Sequence, residues 1–271
     1  MTESTGPQWA RVTAGPARPA RLVGAAPGVL LDPGARAAGV PEPDVIGVVG
    51  ACGGAGASTF AAALAYRLSD GGPTALVDLD RAGGGLDVLL GLESDDGVRW
   101  PDLEDARGLV SGRELEALLP RWGRCLVLSA DRLRPGPPPE PARDDVLRAL
   151  AAQHTTTVLD LDRADVLDRG PTLTRCRTVL LVVPRDLRSV AGVLALRPAL
   201  VDVSADVRLV VRGPAPGGLG VLELAHVVDL PVVTAMPSDR GVAAAAERGG
   251  GPRSRRGPLG RAVGRVVGAL R

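Results

Sequence analysis

From residue 44 onward, short apolar runs of strand length alternate with segments of helical spacing. The apolar runs are continuous, with few polar residues between them, which is typical of strands that are buried on both faces. They cover residues 45–49, 74–79, 125–129, 155–159, 178–183, 207–211 and 230–234. The helical segments cover residues 60–68, 112–119, 143–153, 189–200 and 220–228. This alternation predicts an α/β fold with a doubly wound, mostly parallel sheet.

The two ends of the chain lack this alternation. Residues 1–43 are rich in Pro, Gly, Ala and Arg, and they carry too few apolar residues to form a core, so we predict a flexible arm there. The folded domain is predicted to span residues 44–247. Residues 248–271 are predicted to form a basic linker and a short amphipathic tail.

The predicted tail helix has one apolar face. That face carries Leu259, Val263, Val266, Val267 and Leu270, whereas Arg261 and Arg265 lie elsewhere around the helix. A basic amphipathic helix suits an anionic membrane surface, but the same pattern suits docking on its own domain or on a partner. Three glycines in the helix weaken it by about 1 kcal/mol each.

A glycine-rich stretch between the first strand and the first helix is the main candidate site. Its residues are Gly53, Gly54, Ala55, Gly56, Ala57, Ser58 and Thr59. Strand, glycine turn and helix together direct backbone N–H groups and the positive end of a helix dipole at a phosphate. Ser58 and Thr59 supply the hydroxyl groups that a P-loop places on magnesium and phosphate. A dinucleotide-binding loop and a purely structural turn remain alternatives.

Acidic residues follow two of the predicted strands. Asp78 and Asp80 come at the end of the second strand, and Asp160 ends a later one. Because ligands gather at the carboxyl ends of parallel strands, we expect these carboxylates to converge near the glycine loop. In a P-loop protein, Ser58, Asp78 and Asp160 would be linked to magnesium. A dinucleotide loop also uses an acidic residue at the distance of Asp78, so that residue does not separate the two interpretations.

Composition and charge exclude several classes of protein. The hydrophobic share of 45% is ample for a core, and the aromatic share of 2% means that Val, Leu and Ala must fill it. A net charge of +1 argues against a nucleic-acid partner. Three dispersed cysteines and two histidines predict a reduced chain without a metal-ligand cluster. With no signal core and no membrane-spanning run, the expected location is cytoplasmic, with contact at the inner membrane face only through the tail.

Over residues 44–247 the chain resembles the MinD/ParA superfamily. The resemblance is carried by residues 52–59, 78–92, 182–190, 230–232 and 236–240. It implies a P-loop NTPase fold, a three-layer sandwich that binds ATP and Mg²⁺. It also implies that Asp80 is the catalytic carboxylate and that Pro237 borders the nucleotide base. Arg212 stands about where many members carry an adenine-binding Asn.

The chain departs from this family at two lysine positions, which are Cys52 and Ala57 here, and it contains no lysine at all. Losing one charge-assisted phosphate contact weakens binding by about 10- to 150-fold, unless an arginine such as Arg81 or Arg163 compensates. The loss in rate is larger, because negative charge develops in the transition state. We therefore expect weak or vestigial nucleotide binding and at most weak ATP hydrolysis.

Lysine-free glycine loops look most like those of actinobacterial CpaE-like proteins, including the septum-site-determining Ssd type. This resemblance implies a spatial regulator of the septum, or of Tad-type pilus or secretion machinery, with protein partners there and a homodimer. It also makes residues 1–43 the remnant of a receiver-like domain. The alternative is an active ATPase of the same fold that dimerises with ATP. An oxidoreductase is a third alternative, but no candidate hydride-transfer residue supports it.

Overall fold

The structure is a computed structural model that describes residues 43–80, 83–106, 110–136, 140–203 and 206–271. Apart from residue 43, the predicted N-terminal arm lies outside these ranges, as does Arg81. The strands are β1 (Asp44–Gly50), β2 (Thr74–Asp78), β3 (Arg121–Trp122), β4 (Cys125–Leu128), β5 (Thr156–Asp160), β6 (Thr178–Pro184), β7 (Val207–Arg212) and β8 (Val232–Met236). The α-helices are α1 (Ala57–Leu68), α2 (Leu86–Leu90), α3 (Gly112–Leu118), α4 (Glu140–Gln153), α5 (Arg163–Leu167), α6 (Leu187–Val203), α7 (Val221–Val228), α8 (Arg240–Ala246) and α9 (Gly257–Ala269).

Within the described ranges, these eight strands form one sheet in the order β3-β4-β2-β5-β1-β6-β7-β8. Neighbouring strands run parallel, except that β3 pairs antiparallel with β4 at the edge. The predicted doubly wound, mostly parallel sheet is thus confirmed. Strand β1 lies between β5 and β6, so the segment that follows β1 emerges at the centre of the carboxyl edge.

Helices cover both faces of the sheet, which explains why its central strands are apolar throughout. Successive residues face opposite sides, so that Val48 packs in one core cluster and Val49 in the other. Helices α3 to α7 contribute to the cluster that contains Val49. Helices α1, α2, α8 and α9 pack in the cluster that contains Val48. Each cluster removes mainly aliphatic side chains from water on folding. This burial is the main driving force for the architecture.

The sequence analysis missed three short helices, α2, α5 and α8, and the short edge strand β3. Helices of five to seven residues span at most two turns, so they show too little of the 3.6-residue period to be recognised. Strand β3 has only two residues, and its partner β4 fixes it. The long central strands are the elements for which the apolar pattern succeeded.

The C-terminal helix α9, which the sequence predicted as a short amphipathic tail, packs against the rest of the domain. It packs on α1 and β8. Leu259, Val263 and Val266 of its apolar face are buried, while Val267 and Leu270 are partly buried against the same core. The alternative, docking on its own domain, is therefore what the structure shows. No helix in the described ranges has the length and apolarity needed to cross a membrane.

Polar contacts hold α9 and the segment before it in place. Arg265 donates from Nε to Thr234 Oγ1 at 2.8 Å and from Nη2 to the Ala235 carbonyl at 2.8 Å, whereas Arg261 is exposed. Arg255 forms an ion pair with Asp70 at 2.6 Å. The basic residues predicted to form a flexible linker and a membrane-facing surface thus partly serve to dock this segment.

Candidate functional site

The glycine loop lies at the carboxyl end of β1. Gly54 and Gly56 have φ angles of 75° and 91°, in the left-handed region that favours glycine. Ala55 N–H donates to the Cys52 carbonyl at 3.2 Å, which closes the turn. Gly53 and Gly54 are exposed, and no atom lies within 4 Å of the position that a Cβ would take at either residue. The loop is therefore open at its outer surface and is not packed shut.

Helix α1 begins directly after the loop. Its N-cap is Gly56, which has no side chain to accept a hydrogen bond from the first turn. The first N–H groups of an α-helix have no acceptor within the helix, and the helix dipole adds partial positive charge at the same place. The backbone around residues 53–59 is thus suited to an anion.

Two strand-end aspartates stand side by side next to this loop. Asp78 and Asp160 are register partners at the ends of β2 and β5. The Ser58 hydroxyl in the first turn of α1 lies close enough to Asp160 to act on the pKa of that carboxyl, which it lowers. The predicted convergence of loop and aspartates is therefore what the structure shows, although it assigns no role to any of them.

Asp78 is also held by the backbone around it. Its Oδ2 accepts from Leu86 N at 2.9 Å and from Ala130 N at 3.2 Å, and its Oδ1 accepts from Asp80 N at 3.1 Å. These bonds join the end of β2 to the start of α2 and to the segment after β4. Asp78 therefore shapes the site in addition to lining it.

Loop hydroxyls and aspartates line one cleft of about 420 Å³. Its lining residues are Ser58, Thr59, Asp78, Asp80, Gly83, Gly84, Gly85, Leu86, Val88, Leu89, Asp160, Ala246 and Glu247. Glu247 was missed, because it comes from the C-terminal part of the chain and no local pattern marks it. The cleft thus gathers four carboxylates, those of Asp78, Asp80, Asp160 and Glu247.

Burial shifts the acidity of the two central carboxylates. It raises the pKa of Asp78 to about 6, despite three backbone hydrogen bonds that favour the charged form. Burial also raises the pKa of Asp160 well above its usual range, and the neighbouring charge of Asp78 adds to this. The described residues hold no group of three or more His, Cys, Asp or Glu side chains that could bind a metal ion by themselves. The oxygen atoms of Ser58, Asp78 and Asp160 are hard donors that fit an Mg²⁺ ion which keeps most of its water ligands.

Arginines occupy the opposite side of the loop. Arg212 at the end of β7 donates from Nη1 to the Ala55 carbonyl at 2.9 Å. The same Nη1 lies 2.7 Å from the position that a Cβ would take at Gly56. Arg188 in the first turn of α6 places Nη2 3.9 Å from Cys52 Sγ, which in turn lies 3.3 Å from Ser189 Oγ. The sequence analysis missed Arg188, because its proximity depends on the pairing of β6 with β1.

The other predicted residues lie apart from the acidic cleft. Arg212 and Pro237 are at the ends of β7 and β8, and neither lines the cleft. The segments that contain these two residues lie side by side, because Gly213 N donates to the Met236 carbonyl at 2.8 Å. Arg163 begins α5 and does not line the cleft. Of the two arginines named as replacements for lysine, Arg163 is therefore not among the residues around this cleft.

Sequence comparison finds relatives that are described only as uncharacterized. No protein-family model matches the chain. A protein of Mycobacterium tuberculosis, described as uncharacterized in two strains, is 39% identical over 230 residues, which cover 83% of this chain and 63% of the relative. The chain therefore spans less than two thirds of the length of the relatives that it matches.

Structure comparison identifies the fold. A ParA family ATPase from Chlorobium tepidum superposes with a TM-score of 0.71 at 17% identity, over 84% of this chain and 98% of that one. The septum site-determining protein MinD of Pyrococcus horikoshii, solved with Mg-ADP, gives 0.67 at 14% identity, over 84% and 96%. MinD of Aquifex aeolicus gives 0.66 at 16% identity, over 84% and 96%. The chain thus has the MinD/ParA fold of P-loop NTPases.

Proposed function

We propose that the chain is a spatial regulator of the CpaE/MinD kind. In this proposal its lysine-free glycine loop binds nucleotide weakly or only vestigially, and protein partners carry the biological output. The observation that supports it most is the open loop beside Asp78 and Asp160 in a chain without lysine. The target would be the division septum, or Tad-type pilus or secretion machinery.

The proposed roles of the residues follow from their positions. Backbone N–H groups of residues 53–59 would hold the phosphates, and Pro237 would border the base. Ser58, Asp78 and Asp160 would be linked to Mg²⁺, which neutralises phosphate charge when it is bound. Asp80 would orient water, with little effect on rate because the loop lacks its lysines.

Protein partners and a homodimer belong to the same proposal. A similar fold occurs in the solved MinC:MinD cell division protein complex of Aquifex aeolicus, which superposes on this chain with a TM-score of 0.64. For this chain, a partner protein of the division, pilus or secretion machinery is proposed. A membrane contact through α9 is not part of the proposal, because that helix buries its apolar face in the domain.

Localisation in the cell tests the proposed role. The full chain is fused to a fluorescent protein and expressed from its own locus, and its position is followed through the division cycle. We expect discrete signal at the septum, the poles or the pilus sites. A uniform signal at native expression would contradict the proposed function.

An active ATPase that dimerises with ATP is the second candidate. The retained cluster of Asp78, Asp80 and Asp160 beside the loop favours it. Phosphate release from ATP and Mg²⁺, measured on the purified chain beside an ordinary lysine-containing ParA protein, separates the two. We expect turnover at least about 10³-fold below the reference, and comparable turnover would favour the second candidate.

A further inference from the structure

The strand order places two carboxyl groups on one side of the glycine loop and two arginines on the other. On one side of β1 lie β5 and β2, whose ends carry Asp160 and Asp78. On the other side lie β6 and β7, which bring Arg188 and Arg212 to the loop. The side chains that can attract an anion to the loop therefore lie on the arginine side.

Arg212 is already positioned against the loop. One of its N–H groups donates to the Ala55 carbonyl at 2.9 Å, and the side chain is partly buried. A guanidinium group has five N–H donors, so this bond fixes its position and uses one of them. The bond is made to the loop itself, next to Gly56, the N-cap of α1, where the first N–H groups of the helix have no acceptor within it.

Arg188 stands at the other end of the loop. Its Nη2 lies 3.9 Å from Cys52 Sγ. Sulfur is a weak acceptor, so most of the N–H donors of Arg188 remain available for a ligand. The side chain is exposed, so it can turn toward a ligand at low cost. The two guanidinium groups thus flank residues 52 to 56 from separate elements of the fold.

We infer that Arg188 and Arg212 supply the positive charge of a phosphate-binding site on this loop, with a nucleoside di- or triphosphate as the ligand class. The inference rests on the proposed nucleotide binding, and it assigns Arg212 to the phosphates instead of the base. Arginine suits this role because its planar fork binds phosphate oxygens in pairs. The loop thereby gains its cations from β7 and α6 and not from its own sequence.

Calorimetric titration of the full chain tests the inference. ATP, inorganic tripolyphosphate and adenosine are titrated separately into the wild type, Arg188→Ala, Arg212→Ala and Arg177→Ala at low ionic strength. Arg177 is a matched control, because it is an exposed arginine just before β6, at the opposite edge of the sheet. We expect each loop variant to bind ATP and tripolyphosphate about 10- to 150-fold more weakly, with the control within about twofold of wild type.

Three results would overturn the inference. One is a loop variant that binds tripolyphosphate as the control does, and another is a wild type that binds neither ATP nor tripolyphosphate. The third is a loss in Arg212→Ala that appears with ATP and adenosine but not with tripolyphosphate, since that pattern assigns Arg212 to the base. Arg188→Ala changes an exposed residue and should fold. If Arg212→Ala fails to fold, the affinity of Arg188→Ala for tripolyphosphate tests the inference. None of these results alters the cellular localisation that tests the proposed function.

Discussion

Buried Asp78 should make the chain less stable as the pH rises. Its pKa is raised to about 6 in the folded protein, from 3.8 for an ordinary aspartate. The folded state therefore binds this proton more tightly than the unfolded state does. The resulting stabilisation is fully present below about pH 4 and is lost as the pH rises through about 6.

The size of the effect follows from the two pKa values. The difference between about 6 and 3.8 corresponds to about 3 kcal/mol of unfolding free energy, at 1.36 kcal/mol per pH unit. Asp160 acts in the same direction, because its pKa is raised by burial and by the charge of Asp78. Asp186 acts in the opposite direction, because the hydrogen bond from Ser189 N lowers its pKa, so the prediction concerns a difference between two proteins.

The comparison uses wild type and Asp78→Asn. The asparagine cannot ionise, and its carbonyl oxygen can still accept from Leu86 N, Ala130 N and the Ser129 hydroxyl, the three partners of Oδ2. Unfolding free energies are measured by urea titration between about pH 4 and pH 7, with a chelator to remove divalent cations. We expect wild type to lose up to about 3 kcal/mol relative to the variant over this range.

The result that refutes this reasoning is a constant difference between the two proteins from about pH 4 to pH 7. Asp78 would then ionise equally easily in the folded and unfolded states. A smaller loss of unfolding free energy at millimolar Mg²⁺ would support a magnesium site at Asp78, because a ligand that binds the ionised folded state stabilises it.

Two further predictions concern α9. Leu259→Ala should lower the unfolding free energy by about 2–5 kcal/mol, because Leu259 is buried. Arg261→Ala changes an exposed residue and should stay within about 0.5 kcal/mol of wild type. Equal effects of the two substitutions in urea titrations would contradict the packing of α9 on the domain. Gly264→Ala should raise the melting temperature, because nothing lies within 4 Å of its Cβ position and alanine favours helix by about 1 kcal/mol. Gly260→Ala should lower it, because a Cβ there would overlap the backbone of Arg255, and a rise in both variants would argue against that packing.

The fold could be predicted because its central strands are buried on both faces. A continuous apolar run such as that of β1, followed by a segment of helical spacing, is typical of a parallel strand covered by helices. The loop and Asp78 were found for a related reason, since both directly follow such a strand. Physical constraints that act within a few residues are visible in the sequence.

The position of α9 was not predictable in the same way. An apolar stripe with basic neighbours has the same pattern whether it faces a membrane, a partner or its own core. What decides is the surface formed by α1 and β8, on which α9 packs, and the Thr234 hydroxyl that accepts from Arg265. These features belong to the assembled sheet, and residues 248–271 alone do not contain them.

Strand order is also what makes a glycine loop without lysine chemically coherent. A lysine within the loop would supply positive charge whatever the order of the strands. Arg212, by contrast, lies on β7 and reaches the Ala55 carbonyl because β7 is only two positions from β1 in the sheet. The same order keeps Asp78 and Asp160 on the far side of β1, away from the arginines. Substitutions that shift the end of β7 relative to β1 should therefore change the charge at the loop without touching its sequence. The sequence predicted the carboxylates at this site, but the place of Arg188 beside the loop is a property of the fold, and that is why local motifs did not reveal it.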